Sequence, residues 1–227
     1  MKQIPLALGP DPAFDFDNFA EGANAQLVHA LRDNPLPSGP IYLWGAAGSG
    51  KSHLLHATAH RVGAGGGQVL WAGPNRPLPW TWPDDEHATQ PALAVIDDCH
   101  ALAPDQQQAA FSLFVTGAGA GHCILAAGAC PPVDLPLRDD LRSRLGWGLV
   151  FKTEPLTDET VDQVLRQEAA RRGIELGDDV IRYLQTRFER DLKSLMSLLD
   201  RLDHFSLVEK RGITVPLLKQ MLLQDAS

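Results

Sequence analysis

Residues 45–52, GAAGSGKS, decide the fold because they fit the pattern G-x-x-x-x-G-K-[ST] of a phosphate-binding loop. The loop follows a short apolar run at 41–44 and precedes a segment with helical spacing at 52–60. A strand, a glycine loop and a helix in this order are the context in which the motif holds phosphate. The sequence therefore predicts an α/β domain with a nucleotide site.

Each residue type in this loop has an expected role. Glycines let the backbone turn tightly, so that its N–H groups and the dipole of the following helix face the phosphates. Lys51 is expected to reach the terminal phosphates, and the Ser52 hydroxyl is expected to bind magnesium. The predicted nucleotide-binding residues of the loop are Gly45, Gly48, Ser49, Gly50, Lys51 and Ser52.

Composition restricts the possible partners. The chain has 227 residues, 44% of them hydrophobic, and a formal net charge of −8, which disfavours general attraction to nucleic acid or anionic membranes. Its three cysteines have no C-x-x-C spacing, which is typical of reduced thiols. We also find neither an apolar stretch of membrane-spanning length nor a secretory leader pattern, so we predict a cytoplasmic protein without a membrane partner.

Further apolar runs indicate a parallel sheet followed by a helical domain. They lie at 69–72, 93–96, 123–126 and 149–151 and alternate with helical or turn-rich segments. The proline-rich stretch 73–91 is predicted to be a connection with little regular structure. From Pro155 onward only helical patterns occur, with Thr157 as the expected first N-cap. The predicted domains are an N-terminal peptide at 1–12, an α/β domain at 13–154 and a small all-α lid at 155–227.

Two carboxylates follow the apolar run at 93–96, as in a Walker B motif. Asp97 is expected at the carboxyl end of a buried strand, where it would hold magnesium directly or through water. Asp98 is the predicted catalytic carboxylate, positioned to polarise a water for attack on a γ-phosphate. The alternative is an acidic turn that only closes the strand.

With these motifs the chain resembles the AAA+ ATPases, and within them the DnaA-like branch of bacterial replication proteins. The segment 16–19, FDNF, resembles the branch's lead-in, which implies that Phe16 and Phe19 border the nucleotide base. The segment 142–149, RSRLGWGL, resembles its arginine-finger box and puts Arg144 in the finger position. The resemblance of 190–192, RDL, to the sensor-two motif implies that Arg190 reaches the nucleotide from the lid.

Each of these assignments has a structural alternative. A guanidinium carries forked donors that match phosphate oxygens, but Arg144 could instead form a surface salt bridge, and Arg190 could be solvated in a first helical turn.

The helix after the loop has three histidines on one face, His53, His56 and His60. We interpret them as packing and surface residues rather than metal ligands. The tryptophans at 44 and 147 are predicted to pack in or beside the core.

One segment departs from the family pattern. Where a polar sensor-one residue would follow the fourth strand, residues 126–130 read AAGAC and offer no side chain that could orient a water or bond a γ-phosphate. Lys51, Ser52 and Asp97 remain, so we predict stable binding of ADP or ATP with magnesium but weak intrinsic hydrolysis.

The N-terminal segment 3–8, QIPLAL, resembles the sliding-clamp-binding peptide of bacterial replication proteins. Peptide-in-groove recognition would use the Gln3 amide for orientation and the side chains of Leu6 and Leu8 to fill apolar pockets. The partner implied is the beta subunit of DNA polymerase III, the sliding clamp, so DNA would be reached indirectly. A tail with scattered leucines is the alternative.

Together these features resemble the DnaA-homologous regulatory inactivators of DnaA. That resemblance implies a negative regulator of replication initiation that binds DnaA and stimulates hydrolysis of its ATP through Arg144, acting in trans. It also implies a homo-oligomer, expected to be a dimer. The alternative is a DnaA-like ATPase that loads a helicase or assists initiation; a DNA-binding adaptor is disfavoured by the acidic balance.

Overall fold

The computed structural model describes residues 14–17, 19–33, 36, 39–83, 91–187 and 192–225. The described residues up to Pro155 form one compact unit, and those from Leu156 onward form a second. No helix in this part of the chain has the length and apolar character that crossing a membrane requires.

The first unit contains a five-stranded, wholly parallel sheet. Its strands are β1 (Pro40–Trp44), β2 (Val69–Ala72), β3 (Leu93–Ile96), β4 (Cys123–Gly128) and β5 (Leu149–Lys152). They lie side by side in the order β2-β3-β4-β1-β5. Strands β3 and β4 are buried along their whole length because both lie inside the sheet and have a core on each face, which explains their continuous apolar sequences. The predicted α/β fold is confirmed.

Helices cover both faces of the sheet. They are α1 (Ala25–Arg32), α2 (Lys51–Ala64), α3 (Pro104–Gly117) and α4 (Asp139–Leu145). Successive strand side chains point to opposite faces, so β1 contributes Ile41 and Leu43 to the core beneath α1 and α2. Its intervening residue Tyr42 enters the second core, together with apolar side chains of α3 and α4.

The second unit is a bundle of α5 (Asp158–Arg171), α6 (Asp178–Arg187), α7 (Leu192–Glu209) and α8 (Val215–Asp225). Its core is built from leucines on all four helices, including Leu165, Leu184, Leu202 and Leu217. The Thr157 hydroxyl accepts a hydrogen bond from the Thr160 N–H at 3.3 Å, which confirms the predicted N-cap.

The proline-rich connection has no regular structure over its described residues 73–83, as predicted. Trp80 is buried, and Trp82 donates from Nε1 to the Leu113 carbonyl at 3.0 Å. The Trp82 ring also stacks on His122, with centroids 4.4 Å apart. A Cβ at Gly117 would lie 2.6 Å from that ring, so only glycine lets the connection pack this closely on α3.

The tryptophan at 147 contradicts the prediction that it packs in or beside the core. Its side chain is 76% exposed, because it lies in the loop that leads into the edge strand β5. The backbone of the next residue, Gly148, packs against the Pro40 carbonyl so closely that a Cβ there would collide with it. The backbone at Gly148 therefore packs against the sheet, while the Trp147 indole is exposed to solvent. Trp44, by contrast, packs against the core as predicted.

Candidate functional site

The glycine loop connects the end of β1 to the first residue of α2. Gly48 and Gly50 have φ angles of +75° and +89°, in the left-handed region that favours glycine. A Cβ at Gly50 would lie 2.7 Å from Cε2 of Phe19, so the loop and the lead-in segment can touch only because this residue has no side chain. The loop thus directs its last N–H groups along the helix axis, where an anion is stabilised.

Lys51 extends across the inside of the loop. Its Nζ donates to the carbonyls of Gly45 at 2.9 Å and Ala46 at 2.7 Å. Burial lowers the pKa of Lys51 from its usual value, while the charges of Asp97 and Asp98 act in the opposite direction. The loop ammonium and the strand-end carboxylates are therefore close enough to interact electrostatically.

The two carboxylates lie at the carboxyl end of β3 and have different surroundings. Oδ1 of Asp97 accepts a hydrogen bond from the Asp98 N–H at 2.9 Å, and the Asp97 side chain is half-buried. Asp98 is exposed and has a φ of +47°, a conformation that aspartate tolerates better than most residues. The sequence-predicted pair is thus brought to the same sheet edge as the glycine loop.

Thr153, which sequence reasoning missed, supports the loop from behind. Its side-chain oxygen lies 2.6 Å from the Ser49 hydroxyl, and its N–H donates to the Trp44 carbonyl at 2.7 Å. Both hydroxyls are buried, and a Cβ at Gly45 would collide with the Thr153 side chain. The Ser49 Oγ also donates to the Ala46 carbonyl at 2.8 Å and the Thr153 Oγ1 to the Trp44 carbonyl at 3.1 Å, so either hydroxyl can be the donor in the bond between them.

A second missed residue is Asn24, which fixes the chain just beyond Thr153. The side chain of Asn24 donates to the Glu154 carbonyl at 2.9 Å and accepts from the Glu154 N–H at 2.8 Å. The Asn24 side chain is buried, so this reciprocal pair is shielded from competing water. The end of β5 is thereby held next to the glycine loop.

We expect Thr153→Val to weaken nucleotide binding by removing the hydroxyl that bonds to Ser49 while keeping the side chain's size. A lost buried hydrogen bond costs about 0.5–1.5 kcal/mol, which corresponds to a loss of up to roughly tenfold if it acts on binding alone. Calorimetric titration with ADP measures the affinity, and thermal melting separates a general loss of stability. Thr153→Ser keeps the hydroxyl and should bind like the wild type; equal loss in both variants would contradict this role.

The lead-in segment packs on the start of α2. The Phe19 ring is half-buried beside Gly50 and His53. Phe16, in contrast, is buried in the core, and its carbonyl accepts a hydrogen bond from Nη2 of Arg32 at 2.8 Å. Nε2 of His53 lies 2.8 Å from the Asp15 carbonyl, and burial lowers the pKa of this imidazole. Of the two predicted base neighbours, Phe19 is thus the one that contacts the loop.

The other histidines of α2 do not converge on a metal-like arrangement. His56 stacks on Trp71 with centroids 4.4 Å apart, and His60 is exposed. Across the part of the chain that the structure describes, no group of three or more metal-type side chains is present.

Tyr42 fills the space at the end of β4. Its hydroxyl donates to the Cys130 carbonyl at 2.7 Å, and a Cβ at Gly128 would collide with that hydroxyl. The tyrosine is completely buried, and burial raises the pKa of its hydroxyl. A polar side chain at position 128 is therefore sterically excluded. This agrees with the lack of a polar sensor-one residue in the segment 126–130.

Arg144 lies in the last turn of α4. Its guanidinium carbon lies 5.6 Å from the centroid of the Trp147 ring. The neighbouring Arg142 forms an ion pair with Asp139 at 2.7 Å. The predicted sensor residue Arg190 and the peptide residues Gln3, Leu6 and Leu8 lie outside the described residues.

Comparison with known families agrees with both units. Residues 11–66 match the family model of the bacterial DnaA ATPase domain, and residues 158–222 match the model of the Hda lid domain. The chain is similar to DnaA-like AAA+ proteins and to the lid of Hda.

Solved structures resemble this DnaA-like protein over most of its length. Domain III of DnaA from Thermotoga maritima is 21% identical with a TM-score of 0.75, and the match covers 95% of this chain and 98% of that one. AMPPCP-bound DnaA from Aquifex aeolicus is 22% identical with a TM-score of 0.65, covering 84% of this chain and 66% of that one. The RuvB branch-migration motor from Thermotoga maritima, at 15% identity, has a TM-score of 0.62 over 86% of this chain and 64% of its own. At these identities the likeness shows the shared AAA+ fold.

Proposed function

We propose that this DnaA-like protein is a negative regulator of replication initiation that stimulates hydrolysis of DnaA-bound ATP and so produces inactive ADP-DnaA. The observation that carries the proposal is the Hda-type lid at 158–222 on the same chain as a glycine-loop domain. The structure supports it because Arg144 lies on α4, whereas the loop that would hold the protein's own nucleotide precedes α2.

The protein's own ligand is proposed to be ADP or ATP. The AMPPCP in a DnaA neighbour supports an adenine nucleotide, and the loop residues Gly45, Gly48, Ser49, Gly50, Lys51 and Ser52 supply the amides and the ammonium for its phosphates. Hydroxyl and carboxylate oxygens suit magnesium, so Ser52 and Asp97 would hold that ion, which would neutralise phosphate charge. Phe19 would border the base, with Phe16 behind it and Arg190 contributed by the lid.

The protein's own hydrolysis is expected to be slow. Asp98 is placed to polarise a water, but nothing at the end of β4 can orient that water or bond the γ-phosphate, because Tyr42 occupies the space beside Gly128. The nucleotide would then act mainly by stabilising the folded conformation of the site.

On DnaA, the proposed contribution of this chain is charge stabilisation. Water attacks the γ-phosphorus, the bond to the β–γ bridging oxygen breaks, and ADP and phosphate form. The Arg144 guanidinium would place two parallel donors against the oxygens on which negative charge accumulates during this step. Weak hydrolysis within this protein and strong hydrolysis on its partner are therefore compatible.

The clamp-binding peptide would set where this happens. Gln3, Leu6 and Leu8 would attach the protein to the sliding clamp on DNA, which raises its local concentration near DnaA without direct DNA binding. Such tethering restricts inactivation to DNA that carries a clamp. We also propose a cytoplasmic homo-oligomer, a dimer, since finger-bearing edges of AAA+ domains associate head to tail.

The test is the rate at which DnaA-bound ATP is hydrolysed with and without the protein, and with and without the clamp loaded on DNA. We expect acceleration that needs both the protein and the clamp. Acceleration without the clamp would remove the peptide's role, whereas none with active partners would remove the regulator and favour the helicase-loading alternative. Protein with residues 1–12 deleted serves as the matched control for the tether.

A further inference from the structure

Exposed apolar side chains occur around the end of α4, where Arg144 lies. Val133 and Trp147 are 73% and 76% exposed, and Val150 on the edge strand is 40% exposed. Val133, Val150 and Gly146 line one hollow of about 490 Å³ whose other walls include Arg142 and Ser143. Trp147 directly follows Gly146 in the sequence. Large exposed apolar side chains gathered in one place are typical of a binding surface.

The backbone around Trp147 is held on both sides. The N–H groups of Gly146 and Trp147 donate to the carbonyls of Arg142 and Arg144 at 3.1 and 3.3 Å, which closes the end of α4. On the other side, the backbone of Gly148 packs against Pro40 with no space for a side chain. The exposed indole therefore projects from a fixed point, and its face lies 5.6 Å from the guanidinium carbon of Arg144.

The charges around α4 single out Arg144. Arg138 pairs with Asp140 and Arg142 pairs with Asp139, each at 2.7 Å. Within the described part of the chain, no carboxylate forms an ion pair with Arg144, and its guanidinium interacts instead with the indole face. An aromatic ring orders a guanidinium without neutralising it, so Arg144 keeps its charge available for an anion from outside.

We infer that Trp147 positions the Arg144 guanidinium and is the apolar anchor by which this chain docks on the ATP-loaded AAA+ module of its partner. The inference rests on the proposed function, because the anion facing Arg144 would be the partner's γ-phosphate. An uncompensated cation beside an apolar projection fits a partner surface with phosphate next to an apolar recess. Tryptophan and arginine are also the residue types that most often dominate binding energy in interfaces.

The kinetic test measures kcat and KM for hydrolysis of DnaA-bound ATP with the full-length protein. Trp147→Ala should raise KM and lower kcat, with a total loss in kcat/KM of about tenfold or more, because it removes both anchor and support. Trp147→Phe keeps an aromatic face and should restore most of the activity. The control Val115→Ala removes an exposed side chain of α3 that is 52% exposed and should behave like the wild type. Full activity of Trp147→Ala would overturn the inference.

A spectroscopic test separates this inference from the proposed function. The chain has five tryptophans, so protein labelled with 5-fluorotryptophan gives a resonance for Trp147 that Trp147→Phe identifies by its loss. Arg144→Ala should shift this resonance, and adding ATP-loaded DnaA should shift or broaden it selectively. If hydrolysis is not accelerated but the resonance responds to DnaA, the regulator proposal fails and the docking surface stands. If the resonance responds to neither change, the inference fails whether or not hydrolysis is accelerated.

Discussion

Arg144→Ala should abolish the stimulation of ATP hydrolysis on DnaA while leaving this protein's affinity for its own nucleotide unchanged. A guanidinium supplied to a neighbouring active site accelerates phosphoryl transfer by about 10³ to 10⁵-fold, so its removal should reduce stimulation to near background. The nucleotide site of this protein is expected to be unaffected, because the Arg144 guanidinium contacts the Trp147 ring and not the glycine loop. Single-turnover release of phosphate from preloaded DnaA measures the effect.

Two further variants distinguish the finger from general charge. Arg144→Lys keeps the positive charge but loses the forked donors, so only a small part of the stimulation should remain. Arg142→Ala removes a neighbouring arginine that is already paired with Asp139, and its effect should be far smaller. An unimpaired Arg144→Ala would show that the finger is not at position 144, and an equal loss in Arg142→Ala would show that the effect is not specific to that position.

Much of the fold can be predicted from short stretches of the sequence. Strands inside a sheet whose two faces are covered by helices must be apolar on both faces, which makes β3 and β4 continuous hydrophobic runs that are visible without a structure. The glycine loop is equally local, because its conformation depends on glycines within six residues of each other. The Thr157 cap was predictable for the same reason, since its partner is only three residues away.

The supports of the loop could not be predicted, because they depend on strand register over long distances in sequence. Thr153 reaches Ser49 only because β5 pairs in parallel with β1, with Lys152 opposite Trp44. Asn24 reaches Glu154 across an interval of 130 residues. No periodicity or motif marks either residue; a threonine after a short strand and an asparagine before a helix are both common.

The wrong prediction for Trp147 and the unexplained lack of a sensor-one side chain have the same origin. An apolar run with a tryptophan suggests burial, but the exposure at 147 is decided by the edge position of β5 and by the backbone contact at Gly148. The missing sensor-one side chain was visible in the sequence, but its cause was not. Tyr42, on a neighbouring strand, takes the space that such a side chain would need.

Lys51→Ala should lower the affinity of the protein for ADP and ATP by roughly ten- to a hundredfold, since a charge-assisted hydrogen bond is worth about 1.5–3 kcal/mol. The ammonium lies inside the loop, where it donates to the Gly45 and Ala46 carbonyls. It also interacts electrostatically with Asp97 and Asp98. Without it, those carboxylates would repel incoming phosphate with no compensating charge on the loop. Isothermal titration of each nucleotide in magnesium buffer measures the loss.

Thermal stability gives an independent measurement of the same change. Nucleotide at a concentration of 100 times the dissociation constant should stabilise the wild type by about 2.7 kcal/mol, whereas a variant that binds a hundredfold more weakly gains only about 0.4 kcal/mol at that concentration. Lys219→Ala is the matched control, because this lysine lies over the Tyr183 ring in the second unit. Its nucleotide-dependent stabilisation should equal that of the wild type. If Lys51→Ala keeps the full stabilisation, the glycine loop does not hold the phosphates, and the nucleotide assignment at 45–52 would have to be abandoned while the AAA+ fold remained.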